Sequence, residues 1–356
     1  MKIFKIFILT VSFLGIYFIN SCNNNPADDN SKQAPCDNSQ TGQWISLGLE
    51  NESITSIAID PNNESIIYTG SSSDFSAGTP GRLFKSTDCG KTWNMLLSGS
   101  GAKFNAIVID PIKPNIVYAI PHSIIKSTDG GLTWNDISNN IHIDNETRVS
   151  SLTIDPNNSN IMYAGTGGFF GGGLYKSTDA GNNWFWIGDS LRDGVVSLAI
   201  DPNNTNIIFA GTAFRTILWK STDAGIHWKQ TGLKGKGLMY DILINSLDSR
   251  NIFVGITWAG IWKSEDEGVT WHSYNEGLPE NRNVTKIAEQ TDTGELYIAV
   301  SKGDEGWIYK NEHNGRWVKK GIDSLKTSFY YSDLEITNDN KYLYFGNKGI
   351  FRYRIK

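Results

Sequence analysis

Short runs of apolar and β-branched residues recur along the chain, separated by polar clusters of repeating character. The run at 195–200 leads into Asp201-Pro202-Asn203-Asn204, then a second run at 207–211, a loop, and a third run that enters the polar segment 220–228. Runs of this length, bounded by Gly, Pro, Asn and Asp, predict short strands joined by tight turns. With the strand that follows the polar segment, each unit holds four strands. The expectation is an all-β fold.

The chain is also similar to itself. Lys85-Ser86-Thr87-Asp88-Cys89-Gly90-Lys91-Thr92-Trp93 returns, nearly unchanged, at 126–134, 176–184, 220–228 and 263–271, and in a degraded, shorter form at 310–317. The copies lie about 40–50 residues apart, the period of propeller blades, with loops absorbing the variation. A seventh copy is split. Segments 331–337, 341–345 and 349–355 supply three strands and stop before any tryptophan, whereas Gly42-Gln43-Trp44 near the start matches Gly315-Arg316-Trp317. These observations predict a seven-bladed β-propeller of four-stranded antiparallel blades over 42–356. The N-terminal strand (42–49) completes the C-terminal blade, which leaves no unpaired edge.

Upstream of that domain, Lys2 and Lys5 precede an apolar stretch at 6–19, and Ser21 then stands directly before Cys22. This reads as a lipoprotein signal over 1–21 with Cys22 as the lipidated first mature residue. A plain secretory signal or a transmembrane anchor is the alternative, and the stretch is short for a span. Each of these exports the domain. Residues 22–41 are too hydrophilic to pack and are expected to act as a tether. No Asp follows Cys22, which resembles lipoproteins sent to the outer membrane of a bacterial cell envelope.

The repeated segment resembles the bacterial neuraminidase repeat, or Asp box. In such a turn Asp accepts backbone N–H bonds, Gly takes positive φ and Trp packs at the blade interface. Asp88, Asp129, Asp179, Asp223 and Asp266 are therefore read as structural, together with Trp44, Trp93, Trp134, Trp184, Trp228, Trp271 and Trp317. A catalytic or calcium-binding ring of these aspartates is the competing reading, but turn chemistry alone selects one Asp per blade. Cys36 and Cys89 remain, either as a disulfide fastening the closing strand or as two free thiols.

Strand alternation places the 1-to-2 and box turns on one face, and the 2-to-3 loops and blade connections on the other. Function is expected on the second, irregular face. Its loops carry Phe75, His122, Phe169, Phe170, Phe214, Arg215 and Trp258, and its connections carry Arg148, Arg192 and Arg282 with Lys234, Lys236 and Lys326; Lys348 lies in the last 2-to-3 loop. Aromatic faces beside cations suit a protein surface or a glycan.

Single-domain length and blade count resemble photosystem II stability/assembly factor-like propellers, with sortilin a larger relative. That resemblance implies a non-catalytic scaffold for an envelope protein or complex. Xyloglucanase-type glycoside hydrolases have similar repeats, but they set two propellers around a cleft with one catalytic Asp from each. The sequence offers only Asp74, Asp193 and Asp304 as loop carboxylates for such chemistry, and nothing pairs them. Sialidases carry an Arg-Ile-Pro segment that this chain lacks. The alternative function is accordingly a glycan-binding protein or a glycoside hydrolase.

Composition narrows the field a little further. A net charge of −5 offers no basic footprint for nucleic acid. Three cysteines without a CxxC pair, and scattered histidines, give no metal signature. No cofactor is expected.

Overall fold

The computed structural model describes residue 36 and residues 40–73, 78–144, 146–168, 171–189, 191, 193–213, 216–234, 237–302, 305–321, 325–326 and 332–356. Seven antiparallel sheets follow one another around a ring, and in all but the last the four main strands lie in sequence order. Blade 1 is typical, with strands Ser53–Ile59, Ile67–Ser72, Gly81–Ser86 and Asn94–Gly99. Blades 2 to 6 begin at Ile107, Thr147, Val195, Met239 and Asn283. Blade 6 departs from the expected pattern: a two-residue strand, Leu325–Lys326, adds a fifth member by pairing with Glu305 and Gly306.

Blade 7 is assembled from both ends of the chain. Asp333–Ile336, Tyr342–Asn347 and Gly349–Arg354 are joined by Trp44–Ser46, with Trp44 opposite Tyr353 and Ser46 opposite Phe351. Leu47 N–H continues the ladder to Ile350 O at 2.8 Å. The ring is thus closed by the N-terminal strand, and the edge of Gly349–Arg354 is covered.

The first strand of each blade lies innermost and faces its neighbours around a central channel. In five blades that strand carries a bulge near its start, seen as register shifts between Ile54 and Ser56, Val149 and Ser151, Val195 and Ser197, Met239 and Asp241, and Val284 and Lys286. Bulges re-aim side chains. Here they bring the next residue opposite a small one on the second strand, as in Ser56 against Gly70 and Asp241 against Gly255, and in blade 7 Asp333 stands against Gly346 in the same way. That smallness is required by blade packing: a Cβ on Gly70 would stand 2.4 Å from Phe104 Cβ of the next blade, and one on Gly346 would stand 2.4 Å from Ile54 Cγ2. Apolar side chains fill the spaces between blades, for example Tyr68, Leu83 and Leu97 of blade 1 against Phe104, Ile107 and Val117 of blade 2.

Candidate functional site

The box turns carry the most repeated chemistry of the chain. Ser86 Oγ donates to Asp88 Oδ1 at 2.7 Å and accepts Gly90 N–H at 2.8 Å; Thr92 N–H reaches Asp88 Oδ1 at 2.9 Å and Thr92 Oγ1 donates to Oδ2 at 2.6 Å. The same set holds Asp129 with Ser127 and Thr133, Asp179 with Ser177 and Asn183, Asp223 with Ser221 and His227, and Asp266 with Ser264 and Thr270. Both carboxylate oxygens are therefore occupied within the turn. The Thr270 hydroxyl, and then its amide, hold the Asp266 carboxyl down to about 2. Among the described residues no group of three or more His, Cys, Asp or Glu is placed to hold a metal ion.

The box lysines act between blades. Lys85, Lys126, Lys176 and Lys220 each donate Nζ to the carbonyl of the fifth box residue in the following blade, Gly130, Ala180, Ala224 and Glu267, at 2.8–2.9 Å. Each also lies over an aromatic ring of its own second strand, such as Tyr68 at 5.1 Å from Lys85. Tryptophan Nε1 groups add further links: Trp93 to Leu47 O, Trp184 to Ile137 O, Trp317 to Tyr274 O and Trp44 to Lys320 O cross to the preceding blade, while Trp134, Trp228 and Trp271 bond within their own boxes. Near the closure, Cys36 and Cys89 are bonded to each other. This face is a set of fasteners.

On the opposite face, Trp258 sits in the three-residue loop between Ile256 and Gly260, 63% exposed and at φ 59°. Asn283 Oδ1 accepts its backbone N–H at 2.9 Å, so the neighbouring blade holds that conformation. Arg148 is exposed, but it begins the strand Thr147–Asp155 and is not a connection residue. Beside it, His122 is half-buried, its imidazole pushed down by burial and by the Arg148 charge. Lys103 is likewise lowered, to about 8, by burial and then by Arg148, and it reaches the channel wall. Arg148 thus acts on both Lys103, at the channel wall, and His122, which is held towards its neutral form. Lys103 escaped the sequence reading although it lies in a blade connection, the position that selected the other cations.

Other candidates are placed differently. Arg282 is half-buried, with Nη1 donating to Pro279 O at 2.5 Å, and Asp193 is buried. Lys348 is exposed. Asp74, Phe75, Phe169, Phe170, Arg192, Phe214, Arg215, Lys236 and Asp304 lie outside the described residues, as do Cys22, the 1–21 segment and most of 22–41.

The channel holds a cluster that sequence reasoning missed altogether. It encloses about 550 Å³, walled by first-strand residues such as Thr55, Ser150, Tyr240 and Thr285. At the position opposite a small second-strand residue, glycine except for Ala299 in blade 6, blades 1, 3 and 4 carry Ser56, Ser151 and Ser197, whereas blades 5, 6 and 7 carry Asp241, Lys286 and Asp333. Lys286 Nζ lies 3.6 Å from Asp241 and 3.7 Å from Asp333. Asp241 Oδ2 accepts Ile287 N–H at 2.8 Å and Asp333 Oδ2 accepts Ile57 N–H at 2.7 Å, so each aspartate clasps the next blade. Burial pushes Asp241 upward, and it pushes nearby Glu335 up to about 8 against the pull of Lys286. Lys286 is raised, chiefly by Asp241.

These features define a seven-bladed β-propeller with one fastened face, one irregular face and a charged channel junction. No known family profile matches the sequence, and no curated protein matches it in sequence. Among solved structures, YCF48 from Cyanidioschyzon merolae shares the fold at 13% identity and TM-score 0.61, over 87% of this chain and 98% of that one. A structure of YCF48 bound to D1 peptide aligns at 15% identity and TM-score 0.59, over 88% and 95%. An ancestral GH74 enzyme aligns at 18% identity and TM-score 0.57 over 68% of this chain, which spans only 34% of that enzyme.

Proposed function

We propose that the chain is an exported, lipid-anchored propeller that binds a protein partner on its irregular face and acts as a non-catalytic assembly scaffold in the bacterial cell envelope, at the outer membrane. The observation that carries this reading is Trp258. A large aromatic residue held in the left-handed region costs on the order of 1–3 kcal/mol and persists where its surroundings impose it; here the Asn283 bond does so and leaves the indole in solvent. Exposed Trp is enriched in binding hot spots, and Trp258 is the exposed large apolar residue on this face among those described. The channel carboxylates, engaged by backbone amides and Lys286, are poorly suited to attack a glycan. YCF48, similar in fold over nearly its whole length, has been seen with a bound peptide.

The test is recovery of partners by the lipidated protein, repeated with Trp258→Ala, Arg148→Ala and Phe170→Ala. Loss of one discrete partner is expected. Unaltered recovery of every partner, or polysaccharide turnover abolished by Asp74→Asn, overturns the reading in favour of a glycan-active protein.

A further inference from the structure

Both the closing strand and the disulfide bring the N-terminal end of the propeller to the box face. Trp44–Ser46 is the fourth strand of blade 7 and so starts at that face, where Gly42 N–H bonds Arg354 O at 2.8 Å. Cys36 is bonded to Cys89, itself the fifth residue of the first box, whose N–H reaches Ser65 O in the adjoining 1-to-2 turn. Residue 36, the described residue furthest towards the N-terminus, therefore lies at the fastened face.

That face is also where apolar side chains stand exposed. Leu132, Ile226 and Val269 occupy the same box position, directly after the glycine, at 73%, 72% and 70% exposure. Ile112 and Leu247 in 1-to-2 turns of blades 2 and 5 add two more. Five of the nine large apolar residues exposed among those described lie here, against Trp258 alone on the opposite face. Turn chemistry requires Asp, Ser and Gly at these sites, but it places no demand on the residue after the glycine, which is Lys91 in blade 1 and Asn182 in blade 3. Aliphatic residues thus stand at the same turn tip in blades 2, 4 and 5 although the turn does not call for them.

We infer that the box face rests on the lipid bilayer, with Leu132, Ile226 and Val269 dipping into the headgroup region and the irregular face turned away from the membrane. The inference rests on lipidation of Cys22. From Cys22 to Cys36 the chain cannot exceed about 50 Å even at full extension. A strand of six residues is about 20 Å tall, so laying the other face on the bilayer would spend about two-fifths of that length on crossing the rim, whereas the box face meets the bilayer with none of it spent.

The full-length lipidated protein is reconstituted in vesicles of phosphatidylethanolamine and phosphatidylglycerol containing a nickel-chelating lipid, with a nitroxide on Ile226→Cys or Lys348→Cys. With Cys22 lipidated and Cys36 bonded to Cys89, the introduced thiol is unique. Relaxation at position 226 is expected to exceed that at 348 at least threefold, and replacing Leu132 and Val269 with Ser should reduce the difference. Equal relaxation at both sites, or more at 348, overturns the orientation while leaving the anchor intact. If Cys22→Ser remains with the membrane fraction as fully as the native protein, the anchor reading falls and the orientation with it.

Discussion

Cys36 and Cys89 are joined at the junction between the last blade and the first, their Cα atoms 5.5 Å apart. Cys89 is the fifth residue of its box, the position whose carbonyl receives a lysine from the preceding blade at the next four junctions. At the closure, a covalent bond fastens that position. The bond spans 53 residues of sequence and encloses the whole closing strand. Loop-closure entropy for such a span corresponds to about 4 kcal/mol. Cys36→Ser with Cys89→Ser should lower the thermal midpoint measured by calorimetry by several degrees, and adding reductant to the native protein should reproduce the loss. Identical midpoints with and without reductant would show that the strand holds itself.

Deleting residues 42–49 should be more damaging. It removes three cross-strand pairs, the Trp44 Nε1 bond to Lys320 O and the Leu47 carbonyl that accepts Trp93 Nε1, and it bares the edge of Gly349–Arg354. An exposed edge invites association. The expected outcome is a broadened, lower unfolding transition with oligomers on size-exclusion chromatography. A monomer of unchanged midpoint contradicts closure by this strand.

The boxes should matter for stability and not for partner choice. Asp266→Ala strips acceptors from Ser264, Val269 and Thr270 and should cost about 1–3 kcal/mol in urea unfolding. Partner affinity, measured on the purified complex, should be unchanged. If affinity falls while stability holds, the box is part of the recognition surface.

Blade count and closure were readable from the chain because turn chemistry is local: Asp88 and its four counterparts must each bond their own turn, so the residues recur wherever the geometry does. Arg148 was misplaced because the irregular segments have no such rule, and the strand Thr147–Asp155 runs longer than its counterparts. Leu325–Lys326 makes only two pairs, too few to leave a pattern. The Asp241, Lys286 and Asp333 cluster was hidden for a different reason. Bulges upset the alternation that tells channel-facing from blade-facing positions, so three charges separated by some 45 residues each gave no sign of meeting. Only superposing the repeats shows that they replace the serines of blades 1, 3 and 4.

That cluster should make stability depend on pH in a particular direction. Burial, reinforced by Asp333 and Asp241 and opposed by Lys286, raises Glu335 from 4.5 to about 8. A carboxyl group with a raised folded-state pKa contributes fully below its unfolded value and loses that contribution as pH climbs through the folded one. Asp241, also raised by burial, acts with the same sign. Lys286 is raised as well, but its contribution is retained until pH passes the ordinary lysine range. Between pH 5 and 9 the carboxyl groups therefore dominate, and the thermal midpoint should decline as pH rises. Glu335→Gln keeps a neutral group of similar shape in the channel, so it should flatten that decline and raise the midpoint at pH 9 relative to the native protein. Curves for the two proteins that run parallel from pH 5 to 9 would mean that Glu335 is not held neutral by the channel.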